Sequence, residues 1–353
     1  MATLADVARE AGVSAVAASV VLNGAKTATR TSAETRARVL AAAERLGYRP
    51  NATARALAQG RANAIGVVAN HWQEEDANLY FMEVFGGVIE VMTATELTTS
   101  VFMLRGWDEA PRRIPAFADG RIDGLILLAP RLGSDANGWM PTNIPCVSVH
   151  SENVVPGVVN LEPDEEEGAF QAVSQMLALG HRRILHVGGP AGLIGAERRL
   201  AGYLRAHAAA GVKPPAGNVL RSALNAEGGS GAMLDWLRRH PKGPLPGAVF
   251  CCNDAIALGC IEALVAQGLR VPDDVSVVGF DDTLLARSAR LSTVHQPLHA
   301  LGRKAAELLM ELIGTRRKGG RWPGPDNIVL PTEFIARATL AAAPREPRTR
   351  GSG

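Results

Sequence analysis

The chain has 353 residues, of which 47% are hydrophobic and 20% charged, a globular composition in a length that exceeds one ordinary domain. Residues 1–61 carry nine Lys/Arg against four Asp/Glu, a net of +5, while the remainder carries −3; this is a small basic head on a mildly acidic body. The four cysteines, Cys146, Cys251, Cys252 and Cys260, have neither disulfide-framework nor zinc-site spacing, so buried free thiols and no metal site are expected. The opening Met-Ala-Thr-Leu-Ala-Asp lacks a basic n-region and an apolar h-region, and no apolar run is long enough for a membrane span. A bacterial cytoplasmic location without a membrane partner is expected.

Three helices are predicted in the first fifty residues. Thr3 with Asp6 three residues on has capping-box spacing, and Leu4, Val7, Ala8 and Ala11 form one apolar stripe. Gly12-Val13 supplies a tight turn, Ser14 caps a second helix to Asn23, and Gly24 is placed to end it. A third helix runs from Ser32 to about Leu46, with Ala37, Leu40, Ala43 and Leu46 as its expected inward face. Helix, short glycine-containing turn and helix form the helix-turn-helix pattern. With Ala18, Val21 and Leu22 packed inward, the second helix presents Ala15, Val16, Ser19, Val20 and Asn23 outward, a small and uncharged face. Such a face suits a major groove, where Ala and Val meet thymine methyls and Ser and Asn reach phosphates or base edges. The alternative is that Val16 and Val20 belong to a core. Beyond Pro50, Asn51 to Gly60 reads either as a short alanine-rich helix, marginal in isolation, or as a plain linker.

From Ala64 onward apolar strands alternate with helices. Strands are predicted at 65–69, 99–104, 124–128 and 144–149, with helices at 81–95 and 114–119 between them. A second series follows: helix 165–179, strand 183–187, helix 196–210, strand 248–252, helix 255–267 and strand 275–279. Short continuous apolar runs separated by helices indicate parallel sheets covered on both faces. Two such series suggest two lobes with a cleft between them, and the residues just after the strands are the pocket candidates. These are Asn70 and Trp72, His150, Asn253-Asp254 and Asp281-Asp282; Trp72, Tyr80 and Phe81 would suit either the floor under a sugar ring or core packing.

The head motifs Thr3-Leu-Ala-Asp-Val-Ala-Arg-Glu-Ala-Gly-Val-Ser14, Val21-Leu-Asn-Gly24, Leu46-Gly-Tyr-Arg-Pro-Asn51 and Ala54-Arg-Ala-Leu57 resemble the lactose/galactose repressor (LacI/GalR) family. The resemblance continues through Arg199-Leu-Ala-Gly-Tyr203, Val271-Pro-Asp-Asp-Val-Ser-Val-Val-Gly-Phe-Asp-Asp282 and Thr293-Val-His-Gln-Pro297, to about Leu340. It implies an all-α helix-turn-helix head plus an α/β body of two periplasmic-binding-protein-like lobes, each a parallel sheet with helices on both faces. The expected divisions are 1–48 (head), 49–61 (hinge), a core at 62–340 and a disordered tail at 341–353. Within the core, one lobe is expected at about 62–160 and 291–323, the other at about 161–290 and 324–340.

The function implied is a sequence-specific repressor, binding double-stranded DNA at a near-palindromic operator as a homodimer, and controlled by a small-molecule effector, a carbohydrate or related metabolite. The DNA-contacting set implied is Thr3, Ser14, Ala15, Val16, Ser19, Val20, Asn23, Thr35, Tyr48, Asn51, Ala54, Arg55 and Leu57, with Leu57 as a minor-groove wedge. The effector-binding set is Asn70, Trp72, Phe81, His150, Arg199, Asn253, Asp281 and Gln296. Arg199, Asn253 and Asp281 are the trio the family uses to grip its effector; read without it, Arg199 would be a surface arginine, Asn253 a turn residue and Asp281 a helix cap. Departures are also visible. Val20 stands where the family often has Arg, Glu197 replaces a second pocket arginine, an aromatic residue near Leu224 is missing, and the loop after Asn23, with Lys26 and Arg30, is about three residues longer than usual. Gly188-Gly-Pro-Ala-Gly192 fits no G-x-G-x-x-G register and no Walker lysine motif occurs, so no cofactor and no enzymatic activity are expected.

Overall fold

The computed structural model describes residues 2–24, 31–49, 51, 56, 60–70, 77–95, 97–241 and 243–344. The expectations placed on Lys26, Arg30, Ala54, Arg55, Leu57, Trp72 and the tail from residue 345 lie outside the described residues.

The head is built from α1 (Leu4–Ala11), α2 (Ala15–Asn23) and α3 (Ala33–Arg45). Its ends follow the local chemistry. Thr3 Oγ1 accepts from Asp6 N at 3.3 Å, and Asp6 Oδ2 accepts from the Thr3 hydroxyl at 2.7 Å and from Thr3 N at 3.0 Å; the last two bonds hold the Asp6 carboxyl below its usual range. Ser14 caps α2 through Ala17 N and Ser32 caps α3 through Thr35 N, both at 3.1 Å. Gly12 and Gly24 end α1 and α2 in the left-handed region, each with φ 64°.

The head core consists of Val7, Ala8 and Ala11, Ala18 and Val21, and Val39, Ala42 and Ala43. This corrects the expected inward face of α3, since Ala37, Leu40 and Leu46 are exposed and only Ala43 of the four is buried. The helices meet mainly through alanines, so they approach closely; a leucine pair at the seam would hold α3 away.

The first lobe carries β1 (Ala64–Asn70), α4 (Ala77–Thr95), β2 (Thr98–Leu104), α5 (Ala110–Phe117), β3 (Leu125–Leu128), β4 (Cys146–Val149) and β5 (Val158–Pro163). The second carries α6 (Glu165–Ala178), β6 (Ile184–Gly188), α7 (Ile194–Ala209), β7 (Val219–Arg221), α8 (Ala226–Arg239), β8 (Ala248–Cys251), α9 (Asp254–Ala266), β9 (Ser276–Val278) and α10 (Leu284–Ser288). The chain finishes with β10 (Thr293–His295), α11 (Leu298–Arg317), β11 (Asn327–Leu330) and β12 (Glu333–Ile335).

The first sheet has the order β11-β5-β4-β3-β1-β2 and the second β7-β6-β8-β9, both parallel throughout. Each lies between two hydrophobic clusters, which is why β1, β3, β4 and β8 are apolar along nearly their whole length.

The closing segments depart from the expected lobe boundaries. β10, expected in the first lobe, is attached to the second through the bridges Val278↔Ser292 and Asp281↔His295. α11 then packs on the first lobe's core, and β11, expected in the second lobe, pairs with β5 at the first sheet's edge. β12 returns to pair antiparallel with β10. The lobes are thus joined by three crossings, after β5, before α11 and between β11 and β12. Short strands carry no mark of which sheet they join, because the open edge is supplied by distant residues.

Candidate functional site

On the head, α2 turns one side outward. Val16 is 52% exposed, Ala15 is exposed, and Ser19 and Val20 are half-buried at the margin of the face. Thr3 and Ser14 are exposed caps, Thr35 is half-buried in the first turn of α3, Tyr48 packs against the head core and Asn51 is exposed. Asn23 departs from expectation: it is 3% exposed and its amide donates to Ser19 Oγ at 3.3 Å. As the last residue of α2 it lies where the helix turns back into the head, so it closes the helix instead of joining the outward face.

In the body a cavity of about 950 Å³ opens between the lobes, beyond the carboxyl ends of the parallel strands. Asn70, Phe81, His150, Arg199, Asn253 and Asp281 all line it. Gln296 does not. It is buried behind Asp281 and donates to Asp281 Oδ1 at 2.5 Å, so it orients the carboxylate from the rear.

A buried charge network forms the cavity floor. Arg199 sends Nε and Nη2 to Glu165 Oε1 at 3.0 and 2.7 Å, Nη1 to the Cys252 carbonyl at 2.5 Å, and lies 3.5 Å from Asp281 Oδ1. Its guanidinium also stacks 4.1 Å from the centre of the Phe280 ring. Glu165 Oε2 lies 3.2 Å from His150 Nε2, and His150 Nδ1 meets the Tyr80 hydroxyl at 2.5 Å. This links a first-lobe helix and strand end to the start of α6. A Cβ on Gly195 would lie 2.6 Å from Glu165 Oε1 and 3.2 Å from His150 Nε2, so glycine at that position makes room for the contact.

One guanidinium faces two carboxylates here, and they part company. Burial pushes Glu165 up, but His150 and Arg199 outweigh it and hold the carboxyl down at about 2. Burial also raises Asp281, Arg199 opposes it, nearby Asp254 adds to it, and Asp281 ends up at about 8. Burial and the Glu165 and Asp281 charges push the Tyr80 phenol well above its usual value.

Of the paired candidates after the strands, only the first member faces the cavity. Asp254 accepts from Thr283 N at 2.8 Å and from Thr293 Oγ1 at 2.6 Å, and burial raises it to about 6. Asp282 ties Arg337, His295 and Arg287. Asn253 lines the cavity and also caps α9 through Ile256 N, while its amide donates to Leu224 O. Glu197, on the helix with Arg199, accepts from Gly192 N and Arg221 and does not line the cavity. Its neighbour Arg198 pairs at 2.8 Å with Glu162 of β5 and lies 3.8 Å from Glu165 Oε2.

Residues 3–51 match the family described as bacterial regulatory proteins, lacI family, and residues 173–340 match the periplasmic binding protein-like domain. The chain is 32% identical over 318 residues to the HTH-type transcriptional repressor PurR of Vibrio campbellii, covering 89% of this chain and 92% of that one. The chain belongs to the LacI family. The corresponding repressor of Haemophilus influenzae is 30% identical over 327 residues, covering 90% of this chain and 93% of that one. Among solved structures, the Lac repressor dimer bound to operator and the anti-inducer ONPF matches with a TM-score of 0.81 at 28% identity, covering 97% of this chain and 99% of that one. The complex of the transcriptional regulator CelR with cellobiose matches with a TM-score of 0.67 at 28% identity, covering 96% and 100%.

This LacI-family chain therefore joins a DNA-binding head to a two-lobed body. No local pattern in the sequence marks Glu165, Arg105, Arg131, Trp107 or Trp139; all but Glu165 line the cavity, and Glu165 lies behind it. Glu165 sits in a run of three glutamates, 165–167, and nothing in the run marks which one turns inward; Glu166 and Glu167 pair with Arg205 at the surface. Among the described residues no helix is long and apolar enough to cross a membrane, and no cluster of three or more His, Cys, Asp or Glu could hold a metal.

Proposed function

We propose that the protein is a homodimeric repressor whose operator affinity is set by a carbohydrate or closely related metabolite bound in the interlobe cavity. The observation that carries this reading is the cavity itself: about 950 Å³, with Arg199, Asn253 and Asp281 in one wall and Tyr80, Phe81, Trp107 and Trp139 in the other. Asp and Asn accept from hydroxyls, Arg and Asn donate to them, and aromatic faces cover ring carbons. The network Tyr80–His150–Glu165–Arg199 crosses from one lobe to the other, so a ligand that alters it biases the angle between them. A coupling of about 1–3 kcal/mol is sufficient to change operator occupancy 5–150-fold. Dimerisation follows from the size of one head, which reads about half of a two-fold operator. Ala15, Val16, Ser19 and Val20 read base edges, the caps and Tyr48 hold the phosphates, and Leu57 wedges the minor groove at the operator centre.

The test is fluorescence polarisation of the full chain on labelled promoter DNA, with and without each member of a sugar panel. Salt-sensitive, sequence-selective binding that shifts with one sugar supports the reading. DNA binding that no sugar shifts, in a protein that no sugar stabilises, overturns the effector class. Leu57→Ala is expected to lose most operator affinity while keeping ligand binding; unchanged operator affinity removes the wedge.

A further inference from the structure

The first lobe has a second end, at the amino termini of its strands and remote from the cavity. There the chain enters the body. Ala62 N and Asn63 N, just before β1, donate to Asp123 Oδ1 and Oδ2 at 2.9 and 2.8 Å. Asp123, just before β3, also takes Arg317 Nη2 at 3.1 Å. Arg317 is the last residue of α11, and its neighbour Arg316 donates to the Thr142 carbonyl, ahead of β4, at 2.6 Å. One aspartate thus fastens the end of α11 to the point where the linker meets the lobe.

This end carries Arg61, Arg121, Arg316, Arg317, Lys318 and Arg321, all exposed. The acids beside them are Asp119, Asp123 and Asp326. Arg121 neutralises Asp119 at 2.8 Å and Arg317 neutralises Asp123, while Asp326 stands exposed at the start of β11. Among the described residues, Arg316, Lys318 and Arg321 pair with no carboxylate. Cations in a last helical turn serve the negative end of the helix, which accounts for Arg316 and Arg317. It does not account for Lys318 and Arg321, which lie past the helix. Gly319, with φ 74°, and the bond from Gly320 N to Thr315 O at 3.0 Å turn the chain back between them and leave both in solvent. A positive surplus is thus concentrated at one end of a body whose net charge is −3.

Its place along the chain selects the partner. Residues 50–61 join this end to the head, a length that spans at most about 40 Å fully extended and about 18 Å as helix. A duplex held by the head is therefore tethered close to this surface, and it carries one negative charge per about 1.7 Å of its axis. We infer that the base of the first lobe is a second, sequence-independent DNA surface, on which Arg316, Lys318 and Arg321 meet phosphates of the same duplex that the head reads. The inference rests on DNA binding by the head and is independent of the effector. Contacts of this kind position a protein on DNA and add affinity without reading bases.

The experiment uses the full-length protein and a duplex of about 40 bp, a two-fold operator selected from a random pool by the wild type and flanked by one helical turn on each side. Binding is followed by fluorescence polarisation across a salt series. The double variant Lys318→Gln/Arg321→Gln is expected to lower the slope of log affinity against log salt by about 1–2, so its affinity loss between about 50 and 200 mM salt is about three- to twelve-fold smaller than that of the wild type. Lys318→Gln alone is expected to give about half the change in slope. The control Lys213→Gln/Lys304→Gln removes the same charge from exposed positions elsewhere on the body and is expected to keep the wild-type slope. All these side chains are exposed, so thermal melts should match the wild type. A Lys318→Gln/Arg321→Gln slope equal to that of the wild type overturns the inference. So does a control that flattens the slope equally, since the effect then belongs to net charge and not to this surface.

Discussion

The outward face of α2 and the floor of the cavity are opposite solutions to recognition. The α2 face is short, uncharged and local: Ala15 and Val16 project from the first turn of one helix whose cap, Ser14, is satisfied by that helix's own backbone. The cavity floor is charged and assembled from afar, joining residues 80, 150, 165, 199, 281 and 296 through bonds they make mainly with each other. In the head, side chains are left free for a partner. In the body they are tied together, so a ligand must insert itself into an existing network.

That contrast is tested first where it predicts the largest effect. Arg199→Ala removes the guanidinium that binds Glu165 Oε1, leaving the buried carboxylate only His150 and the more distant Arg198, and is expected to cost about 3–5 kcal/mol, read as a lowered urea midpoint. Val16→Ser on the head is expected to change stability by less than about 0.5 kcal/mol while weakening operator binding. If the two substitutions destabilised the protein alike, the contrast would fail. Val20→Arg adds a bidentate donor at the edge of the face. It is expected to favour operators with guanine at the facing step by about 1–3 kcal/mol, measured by competition between operator variants. Ser14→Ala removes a cap and is expected to cost the head about 1 kcal/mol, seen as earlier loss of helicity.

The finest test concerns pH. Folded Asp281 holds its proton to about 8, whereas the unfolded carboxyl releases it near 3.8. Between those values the folded state binds the extra proton, so this contribution to stability is full below about 3.8 and is lost as pH rises to about 8. Wild type should therefore lose ground to Asp281→Asn across that window and run parallel to it above. A difference independent of pH would show that Asp281 is ionised in the folded protein.

The same contrast explains what could be read from the residues alone. Periodicity and caps are local, so α1, α2 and the alternating strands and helices were visible in the chain. α8 was not read from the chain; the glycines at its start, Ala226-Glu-Gly-Gly-Ser-Gly, disfavour a helix locally but let it lie close against α9, where a Cβ on Gly229 would come within 2.2 Å of Ile256 O. β5, β7, β10, β11 and β12 went unread: each is short, and all but β5, which lies beside β4, find a partner far along the chain. Asp281 was found from its place after a strand, but its φ of 117° and its Gln296 support depend on β10 arriving beside it. Asn23 and the inward face of α3 were misplaced because a one-residue rotation of a helix changes which side is dry.

The interleaving of the last segments carries a consequence for synthesis. β11 completes the edge of a sheet whose other strands were translated more than 160 residues earlier, and α11 covers one face of that sheet. The first lobe therefore leaves the ribosome unfinished, with a bare apolar flank and an unpaired strand edge, and stays so until α11 and β11 have been translated. A nonsense codon anywhere before β11 spoils both lobes at once, and neither lobe can be cut out as one continuous stretch of coding sequence.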